Sequence, residues 1–154
     1  MIVVSDTSPV SNLLQVQHEK ILQELFGEVV IPPAVRDELI RYHSVLPDFL
    51  RVASPTSVQN PSVETSQLDP GETEAIALAM ELDADFLLID EKLGRTAAKD
   101  RGVRVIGLLG VLLLGKQRGL LVSVGEVLER LTNEAGFFVS AKVKAQVLSL
   151  AGEI

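Results

Sequence analysis

At 154 residues the chain fits one domain and leaves little room for two, and with no Cys it has no disulfide, thiolate metal site or thiol nucleophile. Its 47 % hydrophobic residues and mean hydropathy of +0.30 supply a full core without requiring a membrane, because parallel strands covered on both faces are apolar throughout. The 14 Lys and Arg stand against 21 Asp and Glu, a net charge of −7, which excludes a uniformly basic nucleic-acid binder.

In chain order, Met1 leads straight into the apolar run Ile2-Val3-Val4 without the basic segment and cleavage site of a signal peptide. With the absence of Cys, the expected location is the cytoplasm. The run reads as a buried strand, and Ser5-Asp6-Thr7-Ser8-Pro9 as a turn rich in helix-capping residues. Leu13 to Phe26 has a helical pattern with a break near Gln17-His18, and Gly27 ends it. A second strand is expected at Glu28–Ile31, and a helix from about Ala34 to Val45 that opens on Pro32-Pro33 and stops before Pro47. Ser54 to Leu68 reads as a loop or weak strand. Then come a helix at Glu72–Leu82, a strand at Asp85–Ile89, a helix at Lys92–Asp100 and a strand at Val103–Ile106. Helices follow at Leu108–Gln117, Val124–Glu134 and Ala141–Leu150. The apolar run Val105–Leu114 is too short to span a bilayer and is interrupted by Gly107 and Gly110. Strands alternating with helices predict an α/β fold with a mainly parallel sheet, over residues 1–154 as a single domain with the C-terminal helices, about 123–150, as an extension. The Leu/Val-rich segment Leu108–Leu114 is more apolar than one buried face requires, so it is expected either to mediate self-association into a homo-oligomer or to form a fully buried core helix.

In such sheets sites form beyond the carboxyl ends of the strands, which draws attention to Asp6 and Asp90, each just past a strand. Either alone is also an ordinary cap or turn residue. Glu38 shares a helical stripe with Val35, Leu39 and Tyr42, while Asp37 points away. A carboxylate on an apolar stripe costs desolvation energy unless it is paired, reaches water at the rim, or binds a metal. Glu72 shares a stripe with Ala75, Ile76, Ala79 and Met80, whereas Glu74 and Glu81 fall on the opposite face. The bland reading of Glu72 is an acid placed favourably against the helix dipole, which applies to Glu74 as well. Together Asp6, Glu38, Glu72 and Asp90 form a hard oxygen set suited to Mg²⁺ or Mn²⁺, which can activate a water and stabilise a leaving oxygen. Phosphate contacts would need only a local basic patch, with Lys92, Arg95, Lys99, Arg101 and Arg104 as candidates; a solvated helix face is the plainer account of most of them.

The segments VVSDTSPVSNLL, VVIPPAVRDEL, LDPGETEAIALAMELDADFLLIDEKLGRTAAKDRGV and VIGLLGVLLLGKQRGLL resemble PIN-domain proteins over nearly the whole chain. The third segment is the most specific, because it joins the GExEAI helix to the LLID strand and its following Arg. The resemblance implies a three-layer α/β/α sandwich and a metal-dependent endoribonuclease that cleaves single-stranded RNA or sometimes other nucleic acid. It assigns Asp6, Glu38 and Asp90 to three acidic positions of the family. Glu72 best fits the remaining one, with Glu74 as its rival. Thr7 or Ser8 matches a hydroxyl position beside the first Asp that would hold a water of the ion, and Arg95 is either a phosphate contact or an ion-pair partner. Asp69 and Glu91 would have outer roles at most. Many relatives are toxins held off by a small antitoxin protein, and that role comes by analogy.

The rivals fit less well. A phosphohydrolase with a nucleophilic Asp would want Asp-x-Asp where the chain has Asp6-Thr7-Ser8, and Gly115-Lys116-Gln117-Arg118-Gly119 is not a P-loop. His18 and His43 have no partners at ligand spacing and read as surface or half-buried residues. The remaining alternative is a non-catalytic PIN-like binding or regulatory module. The 4 % aromatic content and the presence of all four acids stand against it.

Overall fold

The structure, a computed structural model, describes residues 1–56 and 67–154. Five strands run parallel: β1 (Val3–Ser5), β2 (Val29–Ile31), β3 (Leu50–Val52), β4 (Phe86–Leu88) and β5 (Val105–Ile106). Their order in the sheet is β3-β2-β1-β4-β5. Among the described residues the helices are α1 (Thr7–Gln15), α2 (Lys20–Phe26), α3 (Pro33–Tyr42), α4 (Pro70–Glu81), α5 (Lys92–Asp100), α6 (Leu108–Gln117), α7 (Val124–Ala135) and α8 (Ala141–Leu150).

Period-two alternation sorts the strand side chains into two cores. Val3, Val29, Ile31 and Leu88 point to one face, where α1, α2, α6 and α7 cover them with Leu13, Leu22, Leu112 and Leu131. Val4, Val30, Leu87 and Ile89 point to the other, under Ala75, Ile76 and Ala79 of α4 and Ala97 and Ala98 of α5. The expected three-layer α/β/α sandwich is therefore the observed architecture. The alanines of α4 and α5 bring those helices close against the sheet.

Several local expectations change. The first helix starts at Thr7, immediately after β1, because Asp6 takes an extended conformation (φ −76°, ψ 176°) at its N-cap and leaves no separate turn. The break falls where expected, with Gln17 in the left-handed region at φ 59°. Leu50–Val52, not anticipated as a strand, pairs in parallel with β2 at the sheet edge, where its half-buried or exposed residues give no alternating apolar signal. The helix expected to reach Val45 ends at Tyr42. Tyr42 and Met80, placed on the inner stripes of α3 and α4, are exposed; both lie in the last turn of their helices. The expected loop or weak strand from Ser54 to Leu68 falls largely outside the described residues. In α6, Leu108, Val111 and Leu112 are buried, and Leu109, Leu113 and Leu114 pack half-buried against the same core, so the helix is a core helix that keeps part of its apolar surface exposed. No helix among the described residues is long and apolar enough to cross a membrane.

Candidate active site

The chain passes from β1 outward to β2 and β3, then crosses back to β4 on the other side of β1. The C-terminal ends of β1 and β4 therefore flank the point where the winding reverses, which is where open parallel sheets leave a crevice. Asp6 follows β1 and Asp90 lies just beyond β4. The Asp6 N–H donates to the Leu88 carbonyl (2.9 Å), which locks the first acid to the neighbouring strand.

Two helices bring the other acids in. Glu38 lies midway along α3, half-buried, and its Oε2 accepts the Thr7 hydroxyl at 2.6 Å. Glu72 lies in the first turn of α4 and is 3 % exposed. Asp69 caps that helix: its Oδ1 accepts the Glu72 N–H (2.7 Å), while Glu72 Oε1 accepts the Asp69 N–H (3.3 Å), a reciprocal capping box. Glu74 turns toward α3 and accepts the Ala34 N–H (3.2 Å), so it is half-buried rather than solvated, and it is occupied away from the crevice. Asp90 Oδ1 accepts the Leu108 N–H at the start of α6 (2.8 Å).

These bonds leave one oxygen of each of three carboxyls buried and without a partner: Asp6 Oδ1, Glu72 Oε2 and Asp90 Oδ2. Burial pushes the Asp6 carboxyl up to about 7, with the charges of Asp69, Glu38 and Asp90 adding to it and the Thr7 amide opposing. Burial also pushes Glu72 up to about 8, aided by the Asp69 carboxyl hydrogen-bonded beside it and by the charge of Asp6. Asp90 is raised by burial, against the Leu108 amide and the Arg95 guanidinium. Like charges gathered in a desolvated crevice favour protonation or a cation. Among the described residues, no three His, Asp or Glu side chains stand close enough to hold one ion by themselves. The donor set, all carboxylate, suits a divalent ion such as Mg²⁺ that completes its shell with several waters, through which acids that do not reach the ion directly would act. It does not fit an all-protein cage.

Glycines, which had no expected part in the site, make the crowding possible. A Cβ at Gly71 would lie 2.7 Å from Glu38 Oε1 and 3.4 Å from Asp6 Oδ1. One at Gly94 would lie 2.6 Å from Glu72 Oε2, and one at Gly107 would lie 2.8 Å from Asp90 Oδ1. Each acid thus closes over bare backbone. Gly71 sits inside the GExEAI motif, so its spacing beside Glu72 was the available signal. Asp69, expected in an outer role, supports Glu72 through the cap, and its charge acts on both Asp6 and Glu72. Ser8 is half-buried beside Thr7. Of the basic candidates, Lys92, Lys99 and Arg104 are exposed and Arg101 donates to the Ala97 carbonyl (2.9 Å), whereas Arg95 is half-buried beside Asp90. His43 Nε2 meets Ser11 Oγ (2.9 Å) and His18 Nδ1 meets the Val16 carbonyl (2.8 Å), which gives both imidazoles a local hydrogen bond.

Comparison with known proteins agrees with this fold. A family profile described as PIN domain matches residues 2–153. Among solved structures, a PilT N-terminus domain protein from the hyperthermophilic archaeon Sulfolobus solfataricus P2 superposes with a TM-score of 0.58 at 24 % identity. The match covers 80 % of this chain and 96 % of that one, and carries the fold. No curated protein matches. With the profile spanning nearly every residue, this chain belongs to the PIN domain family.

Proposed function

We propose that the chain is a metal-dependent nuclease that hydrolyses phosphodiester bonds of single-stranded RNA, with Asp6, Glu38, Glu72 and Asp90 holding Mg²⁺ or Mn²⁺. The observation that carries this reading is the set of three buried, unpartnered carboxylate oxygens at the winding reversal of the sheet. Acids gathered in this way destabilise the fold by desolvation and mutual repulsion unless they are protonated or neutralised by a cation, so their presence at one crevice points to function. When bound, the divalent ion supplies the Lewis acidity that activates water and stabilises the charge on the leaving oxygen.

The chain's own residues prepare that chemistry. Asp6 is held by its backbone to β4, so the spacing between the two strand-end acids is fixed by the sheet. Thr7 orients the Glu38 carboxylate through its hydroxyl. Glu72 is aimed by its capping box with Asp69, and Asp90 by the Leu108 amide. Arg95 places a guanidinium beside Asp90, where a substrate phosphate would meet it. A toxin role, with a small antitoxin protein covering the crevice, rests on family resemblance alone.

The test is cleavage of labelled single-stranded RNA with Mg²⁺ or Mn²⁺, by the native protein, by Asp6→Asn, and with EDTA. Cleavage by the native protein that disappears in both controls supports the proposal. Undiminished cleavage by folded Asp6→Asn would sink it. Absence of native cleavage, together with RNA binding that persists in EDTA, would favour the non-catalytic module.

A further inference from the structure

Asp90 also lines a groove of about 480 Å³, within the range of small-ligand sites. Its walls include Asp90, Arg95, Ile106, Leu109, Phe137 and Phe138. We infer that this groove is a base-stacking subsite, in which Phe138 takes one nucleobase of a single-stranded substrate while Arg95 meets the adjoining phosphate. The inference rests on the nuclease reading of Asp90 and names the part of the substrate that this end of the site recognises.

Phe138 is 77 % exposed, an unusual position for one of only six aromatic residues in the chain. It is nevertheless held in place. Gly136 ends α7 in the left-handed region (φ 69°), and the Phe137 N–H donates to the Leu131 carbonyl (3.0 Å). The Phe137 carbonyl accepts the Thr132 hydroxyl (2.9 Å), and its ring packs on the core. On the far side Ser140 caps α8 by accepting the Val143 N–H (3.1 Å). The Phe138 ring is thus presented by a loop pinned at both ends, which lowers the ordering cost of binding.

Arg95 approaches the groove from α5. Its Nη1 lies 3.5 Å from where a Gly107 Cβ would be, and its charge is felt by Asp90. Among the described residues it makes no ion pair within 4 Å, so its charge is available to an incoming anion. Phe138, the apolar side chains of Ile106 and Leu109 and the Arg95 guanidinium line one groove beside a candidate metal-binding acid, a combination that suits a base and its adjoining phosphate. A duplex offers no unstacked base to such a ring, so the groove selects single strands.

The test measures binding of a labelled short single-stranded oligoribonucleotide, with Mg²⁺ present, in the cleavage-silent Asp6→Asn background. Phe138, Phe138→Ala and Phe138→Tyr are compared on the intact strand and on strands carrying one abasic position, stepped along the sequence. Phe138→Ala should weaken binding on the order of tenfold, and Phe138→Tyr should retain it. At one abasic position the loss from Phe138→Ala should disappear, because the ring then has nothing to stack on. In the cleaving background Phe138→Ala should raise KM with kcat near native. Equal affinity of Phe138 and Phe138→Ala, or the same loss on every abasic strand, overturns the inference, as does failure of the protein to bind RNA. If the native protein binds but does not cleave, the nuclease reading fails while the abasic comparison still decides the subsite.

Discussion

The Thr7 hydroxyl donates to Glu38 Oε2 across 2.6 Å and ties the first turn of α1 to the middle of α3. The bond leaves Glu38 Oε1 over Gly71, on the side of Asp6. Thr7→Val keeps the shape and removes the donor, so the carboxylate loses its fixed orientation. Partners that orient a ligand typically contribute about 10–100-fold in metal affinity or activity. Calorimetric titration with Mn²⁺ should show a loss at the lower end of that range, with thermal unfolding nearly unchanged. Native affinity in Thr7→Val would remove Thr7 from the site.

The glycines under the acids make a second prediction. Gly71→Ala places a methyl against Glu38 Oε1, the far end of a flexible side chain, so the carboxylate swings away at small cost to the fold. Metal affinity should fall several-fold while the melting temperature moves little. Gly102→Ala is the contrast. Its Cβ meets nothing, but its φ of +76° suits glycine, so it should cost about 1 kcal/mol of stability and leave metal binding intact. The paired measurements are thermal shift and metal titration. Loss of affinity in Gly102→Ala, or none in Gly71→Ala, would contradict the geometry.

The raised acids predict an uncommon pH dependence for the metal-free protein. Asp6 rises from 3.8 to about 7 and Glu72 from 4.5 to about 8 on folding. Between those limits the folded state holds protons that the unfolded chain has released, so stability falls as pH rises and levels off above about 8. Asp6→Asn and Glu72→Gln should each flatten that slope and raise the metal-free melting temperature near neutral pH. Mg²⁺ or Mn²⁺ should restore stability, and more so toward higher pH, because the ion must displace the protons. A metal-free melting temperature that climbs between pH 4.5 and about 7, above the range in which Glu153 titrates, would contradict the assignment of buried acids.

The parts that could be read from the residues and the parts that could not differ for a physical reason. Asp6 and Asp90 were visible because a short apolar run ending in an acid marks a strand end, and the parallel sheet puts all such ends on one edge. Glu38 and Glu72 were visible through helical stripes, since periodicity fixes which face a side chain takes. Edge strand β3 was hidden because an edge needs no apolar alternation. The role of Glu74 was hidden because its partner, the Ala34 amide, is 40 residues away and only the packing of α3 on α4 brings it near. Phe137 and Phe138 follow α7 with no periodic pattern around them. Their place beside Asp90 depends on α6 and α7 folding back across the sheet, which no local spacing encodes.

The last residues supply a further test. Glu153 Oε2 accepts the Val124 N–H (2.7 Å) and Lys116 Nζ (3.2 Å), and its Oε1 accepts the Gly125 N–H (2.9 Å) and the Ser123 hydroxyl (3.2 Å). A carboxylate near the end of the chain thus closes the N-terminus of α7 and ties it to α6 and to the segment after α8, where the exposed amides and helix dipole favour its charge. The Gly125 and Val124 amides, with Lys116 and Ser123, hold its carboxyl down to about 2 from 4.5. A depressed folded value means the stabilisation is present above the unfolded value and lost as pH falls toward 2. Glu153→Ala should therefore cost about 1 kcal/mol near neutral pH, or roughly 2–4 °C in Tm for a domain of this size. The difference from native should shrink steadily below pH 4.5, as measured by denaturant unfolding across pH. Because α7 carries Leu131 into the core beside α1 and leads to the Phe138 loop, amide exchange should quicken first at the start of α7 in the variant. Unchanged exchange there, with native stability, would show that the cap contributes nothing to holding this helix.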